Sequence, residues 1–342
     1  GLIPADPNKE YTFRVTATST GRSIVADQSL PEPQPGIASL PFEPDAFIVV
    51  SDLHLAAGRD PATGRYQPDE NFYADSAFQS LLQSYQSVLE SQPLVLVLNG
   101  DTFDFVRIGE TPELEDDYRE WALLLRDLGA ERPIEELRRI RRRERKYGLQ
   151  SDDYKSVWKL DRIARGHPEF FEGLGWWISH GGRVAFIKGN HDIELYWPLV
   201  QRAIRHLVAR HASTEAAEAR IWFVQGGLRI GNVYLEHGHQ FEGMTAVKGT
   251  PTLPSWPTQL RFPLGSFVNR YIINKLEHLD PFLDNVKPID RMMRTVVQRH
   301  PLQLLAIMWR GIPFLRRASH LACQMNKSRL DFKRLKFFRV FF

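Results

Sequence analysis

The amino-acid sequence predicts an α/β fold, on three observations. Three apolar runs, Phe47–Ser51, Leu94–Leu98 and Val184–Ile187, have the near-continuous character of strands covered on both faces. Segments with helical spacing separate them, so strands and helices alternate as in a parallel sheet. Each run also ends on carboxylate, imidazole or amide side chains: Asp52 and His54, Asp101 and Asp104, and Asn190 to Asp192.

Taken in order, the chain begins with Tyr11–Thr18, which alternates apolar and polar β-formers and predicts a strand. Five prolines between Pro31 and Pro44 predict an extended connector, so residues 1–45 read as a strand plus linker. The strand Phe47–Ser51 follows, then a polar loop, Gly58–Asn71. Phe78, Leu81, Leu82, Tyr85, Val88 and Leu89 recur at helical spacing, with Asp75 or Ser76 as N-cap. The strand Leu94–Leu98 completes a βαβ unit.

The gap between Asp101 and Asn190 is longer than one crossover helix needs. From Glu113 to Ile163 it reads as helical, with breaks at Pro133 and Gly148. This predicts an inserted helical cap over about 110–170. Val184–Ile187 is the third buried strand, and a helix from Ile193 to Ala209 carries Pro198 in its early part. Ile221–Val224, Leu228–Ile230 and Val233–Leu235, joined at Gly226-Gly227 and Gly231-Asn232, predict antiparallel strands in a second sheet packed on the first. Residues 46–250 thus form the core, and 251–342 read as a helical extension rich in Arg, Phe and Leu.

Composition narrows the partners. A length of 342 residues permits one large domain with insertions, or two domains. A net charge of +3 points to no polyanionic partner, so nucleic acid is the less favoured ligand. The single cysteine, Cys323, excludes a disulfide framework and a cysteine-based zinc site. No run of about 18 apolar residues is present, because Arg310, Gly311 and Pro313 interrupt Leu302–Leu315. A cytoplasmic location is expected. Basic residues from Lys327 to Arg339, interleaved with Phe and Leu, are available for peripheral membrane contact.

The strand-end residues suit hard or borderline divalent metals. Singly, each motif is an ordinary strand-end turn, where Asp, Asn and Gly are common. Four in order, counting His237-Gly-His239 after the strand Val233–Leu235, point to a two-metal hydrolytic site. Such a site neutralises phosphate charge and activates water. A glycine precedes Asp101 and lets the backbone turn sharply, while Asn190 supplies a neutral oxygen that limits the accumulated negative charge.

These motifs, in this order, resemble the calcineurin-like metallophosphoesterase superfamily. Ser51-Asp-Leu-His-Leu55 and the form Gly-Asp-x-Phe-Asp are most similar to its bacterial UDP-2,3-diacylglucosamine pyrophosphatase branch and larger relatives. The resemblance covers roughly Phe47 to Glu242. It implies a four-layer α/β/β/α sandwich of two mixed sheets and a dinuclear site. Asp52 and His54 would hold the first metal, Asp101 would bridge, and Asn190 and His237 would hold the second. His191 would be the general acid or charge stabiliser, oriented by Asp192, with Asp104 supporting the Asp101 loop. Manganese is the first choice of metal, with iron or zinc possible.

The family's last block, Gly-His-x-His, does not occur after His239, and His278, His300 and His320 lack its glycine context. The block is expected beyond residue 342. Arg59 and Arg107, just past the metal loops, and His239 are candidates for substrate contact. The expected activity is hydrolysis of a phosphate ester or pyrophosphate on a small or lipid-linked substrate, by a metal-activated hydroxide. The alternatives are a nucleotide or nucleic-acid phosphodiesterase and a catalytically incomplete scaffold that binds a partner or lipid.

Overall fold

In the computed structural model, residues 37–247, 249–274, 289–299 and 301–302 are described. The predicted strand Tyr11–Thr18, the histidines His278, His300 and His320, and the basic tail from Lys327 lie outside them.

Four strands form one sheet in chain order: β2 (Ala46–Val50), β3 (Leu94–Asn99), β4 (Arg183–Ile187) and β5 (Ile221–Val224). Every pair in it is parallel. β3 is buried along its length because both faces are covered. On one face Leu94, Leu96 and Leu98 join Val184, Phe186 and Ile221 in a core shared with helices. On the other, Val95, Val97, Ala185, Ile187 and Val224 meet Leu228 and Ile230 of a second sheet. An apolar demand from two sides is why this strand shows no alternation, and each such fully buried Leu or Phe contributes about 1.5–3 kcal/mol.

The second sheet holds β1 (Ile37–Ser39), β6 (Gly227–Ile230) and β7 (Val233–Leu235), with β1 parallel and β7 antiparallel to β6. Three expectations are corrected here. Among the described residues the first sheet is parallel, not mixed. Ile221–Val224 joins it instead of pairing with Leu228–Ile230, because the chain crosses between sheets at Gln225-Gly226. Part of the expected connector, Ile37–Ser39, is a strand. β2 also differs from expectation: among the described residues it is an edge strand, with Val49 42% exposed.

The β2–β3 crossover is α1 (Asp75–Ser84) and the short α2 (Gln86–Leu89). Residue 74, not Asp75 or Ser76, occupies the N-cap of α1 and makes no side-chain cap; Asp75 turns instead to His167. Between β3 and β4 lie α3 (Glu115–Asp127), α4 (Ile134–Leu137), α5 (Arg142–Tyr147), α6 (Asp153–Gly166) and α7 (Pro168–Ser179). The breaks at Pro133 and Gly148 fall where the sequence put them. Tyr118, Trp121, Leu125, Leu160 and Ile163 of this insertion share one core with Leu96 and Leu98. The basic residues between Arg138 and Lys146 lie on the surface, where Arg138 pairs with Glu115 at 2.6 Å, while Glu144 among them is buried against Lys155 at 2.6 Å.

A 3₁₀ turn, Ile193–Tyr196, precedes α8 (Pro198–Ala209). Pro198 therefore opens that helix, where its missing N–H costs nothing. α9 (Thr214–Arg220) leads into β5, with Ser213 capping Ala216 N. Beyond residue 250 the helical expectation is only partly met. Thr252–Leu253 and Trp256–Leu260 form a two-stranded hairpin before α10 (Leu264–Val268), a π-helical turn at Asn269–Ile273 and a helix at Ile289–Arg299. Pro257 is tolerated there because a two-stranded ribbon has only edges. Among the described residues no helix is long and apolar enough to cross a membrane.

Candidate metal centre

The carboxyl ends of β2, β3 and β4 are neighbours, so their loops converge, and the loop after β7 reaches the same rim. Two of these loops are zipped together: Asp52 N donates to Gly100 O (3.1 Å), His54 N to Asp101 O (2.9 Å) and Leu55 N to Thr102 O (3.0 Å). Asn99 closes the third side, its Nδ2 donating to Glu236 O at 3.2 Å.

Within this frame the donor atoms of Asp52, Asp101 and His237 lie within 4.8 Å of one another, and so do those of His54, Asp101 and His191. Asp101 belongs to both groups. Its Oδ2 is 3.2 Å from His237 Nε2 and 3.7 Å from His54 Nε2. Asn190 Oδ1 is 3.3 Å from the same His237 nitrogen. His237 Nδ1 donates to Asn99 O at 3.0 Å, which aims Nε2 at Asp101 and Asn190. All five expected ligands thus gather at one place. Asp52 Oδ1 is also 3.9 Å from His54 Nε2, the expected pair, and His191 stands among the potential ligands too.

Backbone strain is concentrated here. Among the described residues the non-glycine residues at positive φ are Asp52 (58°), His54 (55°) and Asp101 (50°). Such conformations cost about 1–3 kcal/mol each and cluster at functional sites. The neighbouring glycines are forced by close approach: a Cβ at Gly100 would sit 2.4 Å from the His237 ring, and one at Gly189 2.1 Å from Asp101 Oδ1.

The partner of His191 is Asp104, not Asp192. His191 Nδ1 lies 2.8 Å from Asp104 Oδ2, which also faces His54 Nδ1 at 3.3 Å and Arg107 Nε at 3.2 Å. Asp192 is fully buried and accepts Gly189 N (2.6 Å) and Thr102 N (2.9 Å), so it clamps the loops after β3 and β4 together. The letters alone favoured the adjacent residue. Its side chain is turned away by those two backbone donors.

Arg107 is corrected as well. It is 3% exposed, bound to Asp104, and donates to Asp69 O at 2.7 Å, so it braces the interior and is not free for substrate. Arg59 is exposed and lies over the Tyr66 ring at 4.9 Å. His239 lies beside the site, its ring 5.4 Å from that of His237, with a buried Nδ1 that has no hydrogen-bond partner.

The electrostatics follow from this crowding. Burial opposes ionisation of Asp101, yet the His237 hydrogen bond and the charges of His191, His237 and His54 hold it down to about 2. Asp104 is likewise held well below the usual carboxylate range, against its burial, by His191, His54 and Arg107. Burial opposes charge on His191 and His237, but Asp104 and Asp101 raise them to about 9. Burial and then the nearby Asp101 charge push Asp192 up to about 7. Burial, Lys188 and His237 lower His239 to about 4. Sequence reasoning missed Asn99 and Thr102, which act on His237 and Asp192 through backbone atoms and leave no motif, and Ser51, whose Oγ donates to Asp52 Oδ2 (2.5 Å) and Asn99 O (2.8 Å).

No family model, curated protein or solved structure matches this chain.

Proposed function

We propose that this chain is a metal-dependent phosphoesterase of the calcineurin-like kind, and that its two sheets are the centre of a four-layer α/β/β/α sandwich. The observation that carries the proposal is the Asp101 carboxylate, shared by two ligand groups on loops held in strained backbone. The donor set fits the group it would hold. Carboxylates, imidazoles and one amide oxygen suit manganese first, then iron or zinc, and the carboxylates repel without a cation.

Asp52, His54, Asp101, Asn190 and His237 would hold two divalent ions. When bound, the ions would neutralise phosphate charge and lower the pKa of a water. The protein's own groups supply the rest. His191, kept charged by Asp104, presents a donor to a phosphoryl or leaving-group oxygen. Asp192 keeps the Asn190 and Thr102 loops in register, and Asn99 fixes the His237 tautomer. The substrate class favoured is a phosphate ester or pyrophosphate on a small or lipid-linked molecule, and the location favoured is the cytoplasm.

The test is hydrolysis of bis(p-nitrophenyl) phosphate by the full chain after dialysis against chelator, with and without added Mn²⁺. Activity that returns with Mn²⁺ and falls in Asp101→Asn is expected. The fall should exceed about a hundredfold, beyond the loss typical of outer-shell changes. A folded chain that neither binds Mn²⁺, Fe²⁺ or Zn²⁺ nor hydrolyses any phosphate ester would overturn the proposal.

A further inference from the structure

Behind the first metal loop lies a buried charge cluster that the proposed chemistry does not use. Glu70, 1% exposed, stands at its centre. Its carboxylate accepts the backbone N–H groups of Ala56 (3.1 Å), Gly58 (2.6 Å), Asn71 (2.9 Å) and Phe72 (2.7 Å). A carboxylate has about four acceptor sites and no donor, so no neutral side chain can match this set. On its far side Glu70 Oε2 lies 3.1 Å from Nε2 of His167, which is fully buried at the junction of α6 and α7. The other ring nitrogen of His167 is 2.9 Å from Asp75 Oδ1, at the start of α1. With a carboxylate against each nitrogen, both nitrogens carry protons, and a cation sits between two anions.

Two routes lead from this cluster to His54. Through the backbone, Glu70 fixes Ala56 and Gly58, the residues that follow His54 and Leu55, and Arg59 N donates to Gly166 O at 3.0 Å beside His167. The second starts at the main-chain carbonyl of Asp69, next to Glu70: it accepts from Arg107, whose Nε holds the Asp104 carboxylate that faces both His54 and His191. The first route holds the backbone just after His54, and the second reaches its imidazole through Asp104.

We propose that Glu70 and His167 are positioning residues of the metal site: they fix the backbone that carries His54 and, with it, the grip of the site on a divalent cation. This rests on the metal-site reading above. Outer-shell groups that orient ligands change metal affinity by about ten- to a hundredfold when removed.

The probe is Co²⁺, titrated calorimetrically into the full chain and followed by its visible absorption, below the melting temperature of each variant. Arg65→Ala, at the exposed apex of the same loop, keeps wild-type affinity. Glu70→Gln and His167→Gln bind Co²⁺ about ten- to a hundredfold more weakly, with an altered visible band. Asp75→Asn keeps an acceptor for His167 Nδ1 and removes only a charge; it folds with a smaller loss of affinity. Folded Glu70→Gln or His167→Gln with wild-type Co²⁺ affinity and spectrum would overturn the positioning role and leave the metal site standing. So would Asp75→Asn with wild-type affinity where the other two do not fold. A wild-type chain that binds no Co²⁺ would fail at the metal-site reading itself.

Discussion

Replacing Gly100 by alanine tests the site through a single methyl group. Gly100 has φ of 81°, and a Cβ there would lie 2.4 Å from Cγ and Nδ1 of His237. Ordinary carbon contacts are about 3.5–4.0 Å, so the ring must retreat by about 1 Å. Metal–ligand distances tolerate about 0.2 Å, so a shift of that size removes His237 from any shared cation. It also breaks the bond from His237 Nδ1 to Asn99 O, about 1 kcal/mol, and the left-handed backbone adds about 1–2 kcal/mol for alanine. Gly100→Ala should therefore melt a few degrees lower in chelator and bind Mn²⁺ at least about tenfold more weakly, a loss of about 1.4 kcal/mol. The control is a cycle with His237→Gly, because the His237 Cβ would itself lie 2.7 Å from the added methyl. Once ring and Cβ are gone the steric term vanishes, and the alanine at 100 should cost almost no further affinity. Gly100→Ala with wild-type Mn²⁺ affinity would refute the reasoning, because His237 would then be either away from Gly100 or not a ligand.

Two further expectations separate interior from surface. Arg107→Ala takes one of three partners from the buried Asp104 carboxylate, leaving His54 and His191, and should cost about 1.5–3 kcal/mol by urea denaturation, whereas Arg59→Ala should stay within about 0.5 kcal/mol; equal effects would undo the assignment. His167 titrates with the fold. Burial opposes its charge, but hydrogen bonds to Asp75 and Glu70 raise its pKa from 6.5 to about 9. A folded pKa above the unfolded one gives stability that is full below pH 6.5 and lost as pH rises through about 9, on the order of 3 kcal/mol. Denaturation at pH about 6 and about 9.5 should show that loss in the wild type and a flatter dependence in His167→Gln; identical profiles would remove His167 from the ion cluster.

Much of the core was legible in the sequence because burial on two faces leaves a direct trace. Leu94–Leu98 and Val184–Ile187 are apolar at every position, and the structure uses every position. The candidate ligands were legible for a related reason. A strand end fixes where its loop begins, so Asp52, Asp101, Asn190 and His237 had only to follow predicted strands to be candidates for one rim. Pairing between strands left no such trace. Ile221–Val224 has the composition of either sheet, and whether it lies beside β4 or beside Leu228–Ile230 depends on where the chain crosses between layers.

By itself, then, the sequence determined an α/β chain whose strand ends carry metal-type side chains. Tertiary structure alone decided which side chain answers to which. Asp104 and not Asp192 holds His191, Arg107 faces inward, and Glu70 and His167, far apart in the chain, share a proton-rich interior. The physical reason is that a ligand's type is a property of one residue. Its partner is a property of the space between elements, where backbone N–H groups compete for the same carboxylates, and that competition is settled only once the loops are packed together.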